Sequence, residues 1–268
     1  METNVIYNED CIGENGMCRL PDNSIDMILA DLPYGTTVCK WDSIIPFELL
    51  WEHYERIIRE NGAIVLTASQ PFTSKLVSSN YEMFKYELVW RKTKIGGFAQ
   101  APYKFMNEHE DILIFSNGGC AKNAKPRMKY NPQGLVYHPK IVKGKKADAS
   151  NHRIGKTDQK DFLSEYTNYP KSILEIDSEF KTVHPTQKPV ALFEYLIKTY
   201  TNENEIVLDN CIGSGTTAVA CLRTHRKFIG FEKEEEYYNI ALKRIGKFDK
   251  KYYKQLPKEE QPKQTQLF

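Results

Sequence analysis

The chain has 268 residues, of which 41% are hydrophobic and 27% charged, and its formal net charge is +2. This length and apolar content predict one large α/β domain with an insertion and a real hydrophobic core. Because the net charge is close to zero, any surface for nucleic acid must come from local segregation of basic residues. The first ten residues carry no apolar signal segment and no run could span a membrane, so we expect a cytoplasmic protein.

The six cysteines form no Cys-x-x-Cys pair and lie at no metal-ligand spacing from a histidine. Scattered thiols of this kind are typical of a reduced intracellular protein. We therefore expect neither a disulfide framework nor a metal site.

The chain begins with a short predicted strand, residues 4–7, which the acid Asp10 follows closely. A second predicted strand, residues 25–30, is mostly apolar, as expected for a strand buried on both faces. It ends on Asp31, after which Pro33 cannot continue a ladder and Gly35 permits an unusual turn. Ligands of open α/β sheets bind beyond the carboxyl ends of strands, so this is a candidate site.

Helices are predicted from Pro46 to about Gly62 and over residues 71–79, 190–200, 216–224 and 234–244. Further strands are predicted over residues 63–67, 86–90, 111–115 and 227–231. The segment 91–106 is predicted to be a loop that could close over a substrate.

A later stretch has the same pattern as the second strand, an apolar run that ends on an aspartate. Residues 205–208 form an apolar strand that ends on Asp209, and a Gly213-Ser214-Gly215 turn then leads into a helix. If both strands lie in one parallel sheet, Asp31 and Asp209 emerge at the same edge. Glu232 follows the strand 227–231, where an acid commonly binds ribose hydroxyls, and this role is favoured over that of an acid at a helix N-terminus.

The segment Cys120–Lys156 is strongly basic. It contains ten Lys or Arg residues against the single acid Asp148, a local balance of +9. Such density suits phosphate contacts, although runs of charge are often only solvated surface. The candidate DNA contacts are Arg127, Lys129, Lys143, Lys145 and Lys146.

These motifs together resemble one family. Asp31-Leu32-Pro33-Tyr34 resembles the Asp-Pro-Pro-Tyr catalytic motif of DNA amino-methyltransferases. Residues 209–217 resemble the Asp-Pro-Phe-x-Gly-Ser-Gly-Thr-Thr motif that binds S-adenosylmethionine, and residues 184–189 resemble the segment before it. The order of the motifs matches the circularly permuted beta class, and the resemblance covers roughly residues 4–246.

The resemblance implies a Rossmann-like, S-adenosylmethionine-dependent methyltransferase fold whose sheet is mostly parallel with one antiparallel strand. The expected parts are a catalytic half (1–116), an inserted target recognition region (117–181) and a cofactor-binding half (182–249). The polar tail, residues 250–268, is predicted to be disordered.

The resemblance also implies roles for single residues. The Asp31 carboxylate and the Leu32 carbonyl would hold the target amino group, with Pro33 completing the motif and Tyr34 stacking on the base. Leu32 stands where the family mostly has proline, and Cys211 where it prefers phenylalanine. The implied cofactor contacts are Asp10, Asp31, Thr186, Lys188, Asp209, Cys211, Gly213, Ser214, Gly215, Thr216 and Glu232.

The function expected from the resemblance is methylation of the N6 amino group of a flipped adenine in double-stranded DNA. An aspartate at position 31 resembles the adenine-specific members, but a cytosine N4-methyltransferase and an inactive DNA-binding relative remain alternatives. The family is associated with restriction–modification, although no nuclease domain fits in this length. We expect a monomer or a homodimer.

The C-terminal residues resemble the Gln-x-x-Leu-Phe peptide that binds the bacterial replication sliding clamp. Gln264 would donate or accept a directional hydrogen bond, while Leu267 and Phe268 would enter an apolar pocket of the clamp. Docking of the pair on the chain's own core is the alternative.

Overall fold

The structure, a computed structural model, describes residues 1–36, 42–144, 160–179, 187–255 and 257. The chain divides into a core unit, Met1–Asn131 with Ser172–Phe268, and an inserted unit, Pro132–Lys171. The inserted unit is thus shorter than the predicted region 117–181. Residues before it are tied to the core by backbone hydrogen bonds, for example from Asn131 N to Thr199 O.

The core unit contains an eight-stranded sheet with the order β1-β10-β9-β2-β3-β5-β4-β8. Its strands are β1 (Val5–Tyr7), β2 (Ile25–Ala30), β3 (Ile58–Ala68), β4 (Phe84–Gly96), β5 (Asn107–Phe115), β8 (Ile173–Glu175), β9 (Ile206–Asp209) and β10 (Lys227–Phe231). The helices are α1 (Phe47–Ile57), α2 (Phe72–Ser79), α3 (Val190–Tyr200), α4 (Thr216–Arg223) and α5 (Glu235–Gly246). The inserted unit contains the antiparallel pair β6 (Val136–Val142) and β7 (Phe162–Thr167).

Strand β5 is antiparallel to both of its neighbours, β3 and β4, and the other pairs of the sheet are parallel. The prediction of a mostly parallel sheet with one antiparallel strand is confirmed. Strands β2 and β9 are parallel neighbours, with Ile28 opposite Leu208. Asp31 and Asp209 therefore leave the sheet at the same edge, as the sequence predicts.

The sheet is covered on both faces, which explains the apolar run Met27–Ala30 of β2. Met27 and Leu29 pack in the cluster that includes α3, α4 and α5, whereas Ile28 and Ala30 pack in the cluster with α1 and α2. Successive side chains of a strand point to opposite faces, so each of these four positions packs against apolar neighbours. No helix of the described residues is long and apolar enough to cross a membrane.

Strands β4 and β5 are longer than the predicted strands 86–90 and 111–115. Their pairing continues past Trp90 as far as Gly96 opposite Asn107, which shortens the predicted loop 91–106 to residues 97–106. The extension lacks an apolar pattern because most of its residues are exposed, and hydrogen bonds between the two strands need no buried face. We call residues 91–96 and 107–110 the ribbon.

The predicted disorder of the tail is wrong for residues Lys250–Gln255, which form a 3-10 helix. Tyr252 is fully buried, contacts the ring of Phe228, and donates a hydrogen bond to Asn4 O at 3.0 Å. The polar composition of the tail gave no indication that one aromatic side chain attaches it to the core unit. Apart from residue 257, the rest of the tail lies outside the described residues.

Truncation of Tyr252 should destabilise the core unit. We expect Tyr252→Ala to cost about 3–5 kcal/mol in the free energy of unfolding, the usual loss for a buried aromatic. Tyr252→Phe removes only the hydrogen bond and should cost about 0.5–1.5 kcal/mol. Urea titration measures both, with the exposed Lys254→Ala as control, for which a change within about 0.5 kcal/mol is expected. Equal stability of Tyr252→Ala and wild type would contradict this packing.

Candidate active site

A cavity of about 500 Å³ opens at the carboxyl edge of the parallel strands, within the core unit. Its walls come from the ends of β2, β9 and β10, the loop after β1, and residues 42–46. It is lined by every predicted catalytic and cofactor-binding residue except Gly215, which lies behind it, and Thr186, which lies outside the described residues. The structure therefore brings the two predicted sites into one cleft.

Asp31 stands at one end of the cavity and is held by three donors. Its Oδ1 accepts hydrogen bonds from the Tyr34 hydroxyl at 2.9 Å and from the Thr67 hydroxyl. Its Oδ2 accepts one from Lys188 Nζ at 2.6 Å. Thr67 is fully buried in β3, the neighbour of β2, so the sheet itself fixes the carboxylate.

Lys188 forms an ion pair with Asp31 and lines the cavity, and its predicted contact with the methionine end of a cofactor stays a prediction. The side chain is 7% exposed, and Nζ lies 3.2 Å from Glu110 Oε2 as well as 2.6 Å from Asp31. Burial lowers the pKa of Lys188, but the carboxylates of Asp31 and Glu110 outweigh this and raise it above its usual value. The ammonium is therefore charged at neutral pH.

Tyr34 lies over the same site. Its ring stacks on Phe72 with a centroid distance of 5.0 Å, and Lys188 Nζ lies 5.8 Å from the ring centre. Burial and the nearby carboxylate of Asp31 raise the pKa of the hydroxyl well above its usual value, so it stays a neutral donor. Phe72 and Lys188 thus both contact the ring, and its predicted stacking on a base stays a prediction.

Asp209 also lines the cavity and is 3% exposed. Its Oδ1 accepts from the backbone N–H of Cys211 at 3.0 Å, and its Oδ2 from the Thr217 hydroxyl. Burial raises the pKa of Asp209 to about 7, against the lowering effect of these hydrogen bonds, and the Asp31 and Glu232 carboxylates add to the rise. An acid of this kind favours a bound cation, which would restore its ionised form.

The glycine turn is shaped by Glu232 as well as by its glycines. Glu232 Oε2 accepts from Gly213 N and Oε1 from Glu234 N, both at 2.9 Å. The carboxylate thus supports the turn and the start of α5 while it lines the cavity. Burial raises its pKa above the usual range.

Gly215 allows two helices to pack closely. Its φ is +83°, and a Cβ there would lie 3.0 Å from Cβ of Ala241 in α5. The glycine therefore permits the close approach of α4 and α5, and its predicted cofactor contact stays a prediction. Arg244 of α5 donates to Ser214 O at 2.7 Å and fixes the turn from behind.

Sequence reasoning missed three residues of the site: Thr67, Glu110 and Tyr54. The Tyr54 hydroxyl donates to the side chain of Asn210, whose Nδ2 lies 3.4 Å from the thiol of Cys11. Thr67 could have been found, since it ends the strand that follows Asp31 along the chain. Glu110 could not, because its position depends on the register of the antiparallel strand β5.

The predicted DNA contacts have different surroundings. Lys129 is mostly buried and pairs with Glu205 and Asp26 of the core unit, so we leave it out of the DNA contacts. Arg127 and Lys143 are exposed. Lys145, Lys146 and the clamp residues Gln264, Leu267 and Phe268 lie outside the described residues, and their contacts stay predictions.

The sequence matches the DNA methylase family over residues 25–243. The chain belongs to the DNA methylase family. It is 27% identical to the type II methyltransferase M.HindIII of Haemophilus influenzae, over 90% of this chain and 94% of that protein. It is 30% identical to the type II methyltransferase M2.LlaDCHI of Lactococcus lactis subsp. cremoris, over 85% of each. The predicted family is thus confirmed.

Solved structures show that this DNA methylase has the fold of the S-adenosylmethionine-dependent DNA methyltransferases. M1.HpyAVI, solved in complex with SAM, is 26% identical, covers 89% of this chain and 98% of its own, and superposes with a TM-score of 0.57. PvuII methyltransferase, described as cytosine-N4-specific, is 14% identical over 91% and 87% of the two chains, with a TM-score of 0.64. The second likeness concerns the fold alone, so the fold does not separate adenine from cytosine enzymes.

Removal of the Lys188 ammonium should destabilise this DNA methylase strongly. Lys188→Met leaves Asp31 without its cation and Glu110 with Lys92 alone, and loss of one partner of a buried pair costs about 3–5 kcal/mol. Replacing Glu110 by Gln in that background should restore part of the loss because one repelling charge disappears.

Urea titration of the two variants and the double variant measures this coupling. The control is Arg223→Ala, which breaks an exposed pair with Glu194 and should cost about 0–1 kcal/mol. If Lys188→Met behaves like this surface control, the ion pair does not organise the site.

Proposed function

We propose that this DNA methylase transfers a methyl group from S-adenosylmethionine to the N6 amino group of an adenine in double-stranded DNA. The observation that carries the proposal is the shared cavity, which Asp31, Asp209 and Glu232 all line. The family and the complex of M1.HpyAVI with SAM support the cofactor. Adenine is favoured over cytosine by the aspartate at position 31, which resembles the adenine-specific members.

The hydrogen bonds of Asp31 indicate which oxygen receives the target amino group. Oδ1 already accepts two donors, whereas Oδ2 accepts only Lys188. Since a carboxylate oxygen offers about two lone-pair sites, Oδ2 keeps one for an N–H of the base. The backbone carbonyl of Leu32 supplies the second acceptor.

Two acceptors on the amino group promote the reaction by geometry. The nitrogen lone pair is delocalised into the base, and it becomes available as the nitrogen becomes tetrahedral. Asp31 and Leu32 hold both N–H bonds in that arrangement, an interaction that strengthens towards the transition state. When bound, S-adenosylmethionine supplies an electrophilic methyl group on a sulfonium. Tyr34 presents a ring face on which the base stacks.

The residues around Asp209 and Glu232 fit a cationic nucleoside. Asp209 faces the ammonium of the methionine moiety, and Glu232 the ribose hydroxyls. Asp10, whose Oδ1 accepts from Ile12 N at 3.0 Å, borders the adenine ring beside Cys211. Ser214 and Thr216 line the methionine end with the backbone of Gly213.

Phosphate contacts come from the basic segment. Arg127 and Lys143 are exposed, and Lys145 and Lys146 continue the same run of the sequence. Each lysine or arginine that neutralises a phosphate releases counterions, which makes binding weaken as salt increases.

Asp31→Ala should remove methylation but not the cofactor. We expect methyl transfer to fall at least about 10²-fold, the loss typical of removing one preorganised transition-state contact. Modification-sensitive sequencing of DNA from cells that express wild type identifies the methylated base and its sequence. Calorimetry of the variant with S-adenosylmethionine should give an affinity near that of wild type.

The outcomes separate the alternatives. N4-methylcytosine in the sequencing would overturn the adenine assignment, and absence of any modified base would favour an inactive DNA-binding relative. Full turnover by Asp31→Ala would remove the catalytic role of this residue.

Cofactor affinity should rise with pH through neutrality. Because Asp209 has a pKa of about 7 without cofactor, part of the protein must lose a proton before the carboxylate can pair with an ammonium. Affinity should increase up to about tenfold per pH unit below that pKa and level off above it. Asp209→Asn should bind more weakly and lose this dependence. Calorimetry from pH 5.5 to 8.5 in two buffers of different ionisation enthalpy measures both affinity and proton release, and an equal slope in the variant would assign the proton elsewhere.

A further inference from the structure

We propose that the tip of the ribbon, residues 97–106, enters the DNA duplex beside the extruded base and fills the vacated space with an aromatic side chain. The tip carries three aromatic residues, Phe98, Tyr103 and Phe105, which are 82%, 89% and 100% exposed. We call these three side chains the aromatic wedge. The inference rests on the proposed function, because it assumes that the target base leaves the duplex.

The ribbon rises from the edge of the sheet that carries the catalytic cavity. In the antiparallel pair, Ala68 at the carboxyl end of β3 lies opposite Asp111, so residues 107–110 continue beyond that edge. Four residues of strand span roughly 14 Å. Glu110, at the base of the ribbon, lines the cavity and lies 3.2 Å from Lys188, which binds Asp31. The wedge therefore lies beyond the same edge of the sheet at which the catalytic carboxylate stands.

The tip is an ordered turn and not a loose loop. Residues Phe98–Gln100 form a 3-10 helix, and backbone hydrogen bonds of 2.9 to 3.1 Å join Gln100 to Gly97, Ala101 to Phe98 and Tyr103 to Gln100. The ribbon below is braced by Ser178, whose backbone N–H donates to the Thr93 hydroxyl at 3.0 Å and whose own hydroxyl accepts from Lys94 N at 3.3 Å. Large apolar side chains held exposed on ordered structure indicate a surface that a partner covers.

The charge around the wedge favours DNA as that partner. The sequence has no acid from residue 88 to residue 107, while it has Arg91, Lys92, Lys94 and Lys104. Among the described residues, Lys94 and Lys104 form no ion pair and are exposed. These two ammonium groups suit phosphates on either side of an inserted ring. A second copy of the same tip would instead bring like charges together.

An aromatic ring is the side chain that the vacated space requires. Extrusion of a base breaks two stacking contacts and leaves an apolar gap between the neighbouring base pairs. Apolar wedges inserted between base steps occur in proteins that distort DNA, and rings stack on bases of any sequence. The wedge thus lowers the cost of extrusion at every site without itself reading the sequence.

The test compares the variant Phe98→Ala/Tyr103→Ala/Phe105→Ala with Tyr81→Ala. Tyr81 is a matched control because it is 77% exposed and precedes β4 at the opposite edge of the sheet. Both are assayed on a duplex that contains the methylated site found by sequencing. They are also assayed on the same duplex with an abasic position opposite the target base, where extrusion is easier.

We expect the wedge variant to lose at least about tenfold in kcat/KM on the paired duplex, within the range for loss of one base–aromatic stack. On the abasic duplex the loss should be below about threefold, because little stacking remains to be replaced. A 2-aminopurine at the target should brighten less on binding of the variant. Its affinity for S-adenosylmethionine, and both assays of Tyr81→Ala, should match wild type.

Other results overturn the inference in distinct ways. Wild-type rates in the wedge variant, or equal losses on the two duplexes, would show that the tip does not replace a stacked base. If the wedge variant differs from wild type in molecular mass by light scattering, the tip is instead an interface between copies of the chain. If wild type methylates no DNA while it binds S-adenosylmethionine, the proposed function fails first and this inference falls with it.

Discussion

The ammonium of Lys188 lies between two carboxylates, Asp31 and Glu110, that come from different strands of the sheet. Glu110 also pairs with Lys92, at 3.1 Å, whereas Lys188 is the one cation among the described residues that pairs with Asp31. Lys188 lies just before α3, beside Gln187, so a segment far along the chain holds the carboxylate at the end of β2. The ion pair thus joins the segment before α3 to the ends of β2 and of the ribbon.

The parts of the site that follow from local sequence could be predicted. The apolar runs before Asp31 and Asp209 define strands, and a parallel pair puts both ends at one edge. The bounds of α3 and β10 agree with their predicted ranges because helical period and apolar run are local signals. The pairing of Lys188 with Glu110 could not be predicted in this way. Glu110 reaches the cavity through the register of an antiparallel strand that is distant in the sequence.

The surroundings of single charged residues were equally unpredictable from the sequence. Lys129 and Lys143 contribute equally to the local balance of the basic segment, yet Lys129 is mostly buried in ion pairs with Glu205 and Asp26 while Lys143 is exposed. Composition counts charges but does not say which acid from elsewhere in the chain neutralises them. Tyr252 is a parallel case, since one buried ring in a polar segment is enough to anchor it.

The departures from the family motifs have a physical explanation in the packing. Leu32 stands where the family mostly has proline, and its side chain is 4% exposed within the cluster that contains α1. Burial of the Leu32 side chain holds the backbone in place at the end of β2, as the ring of a proline would. The backbone carbonyl is kept. Asn210 likewise replaces a proline, and its side chain joins Tyr54 to Cys11 through hydrogen bonds in the interior. Both substitutions are integrated into the core around the cavity, so they give no structural reason to expect an inactive protein.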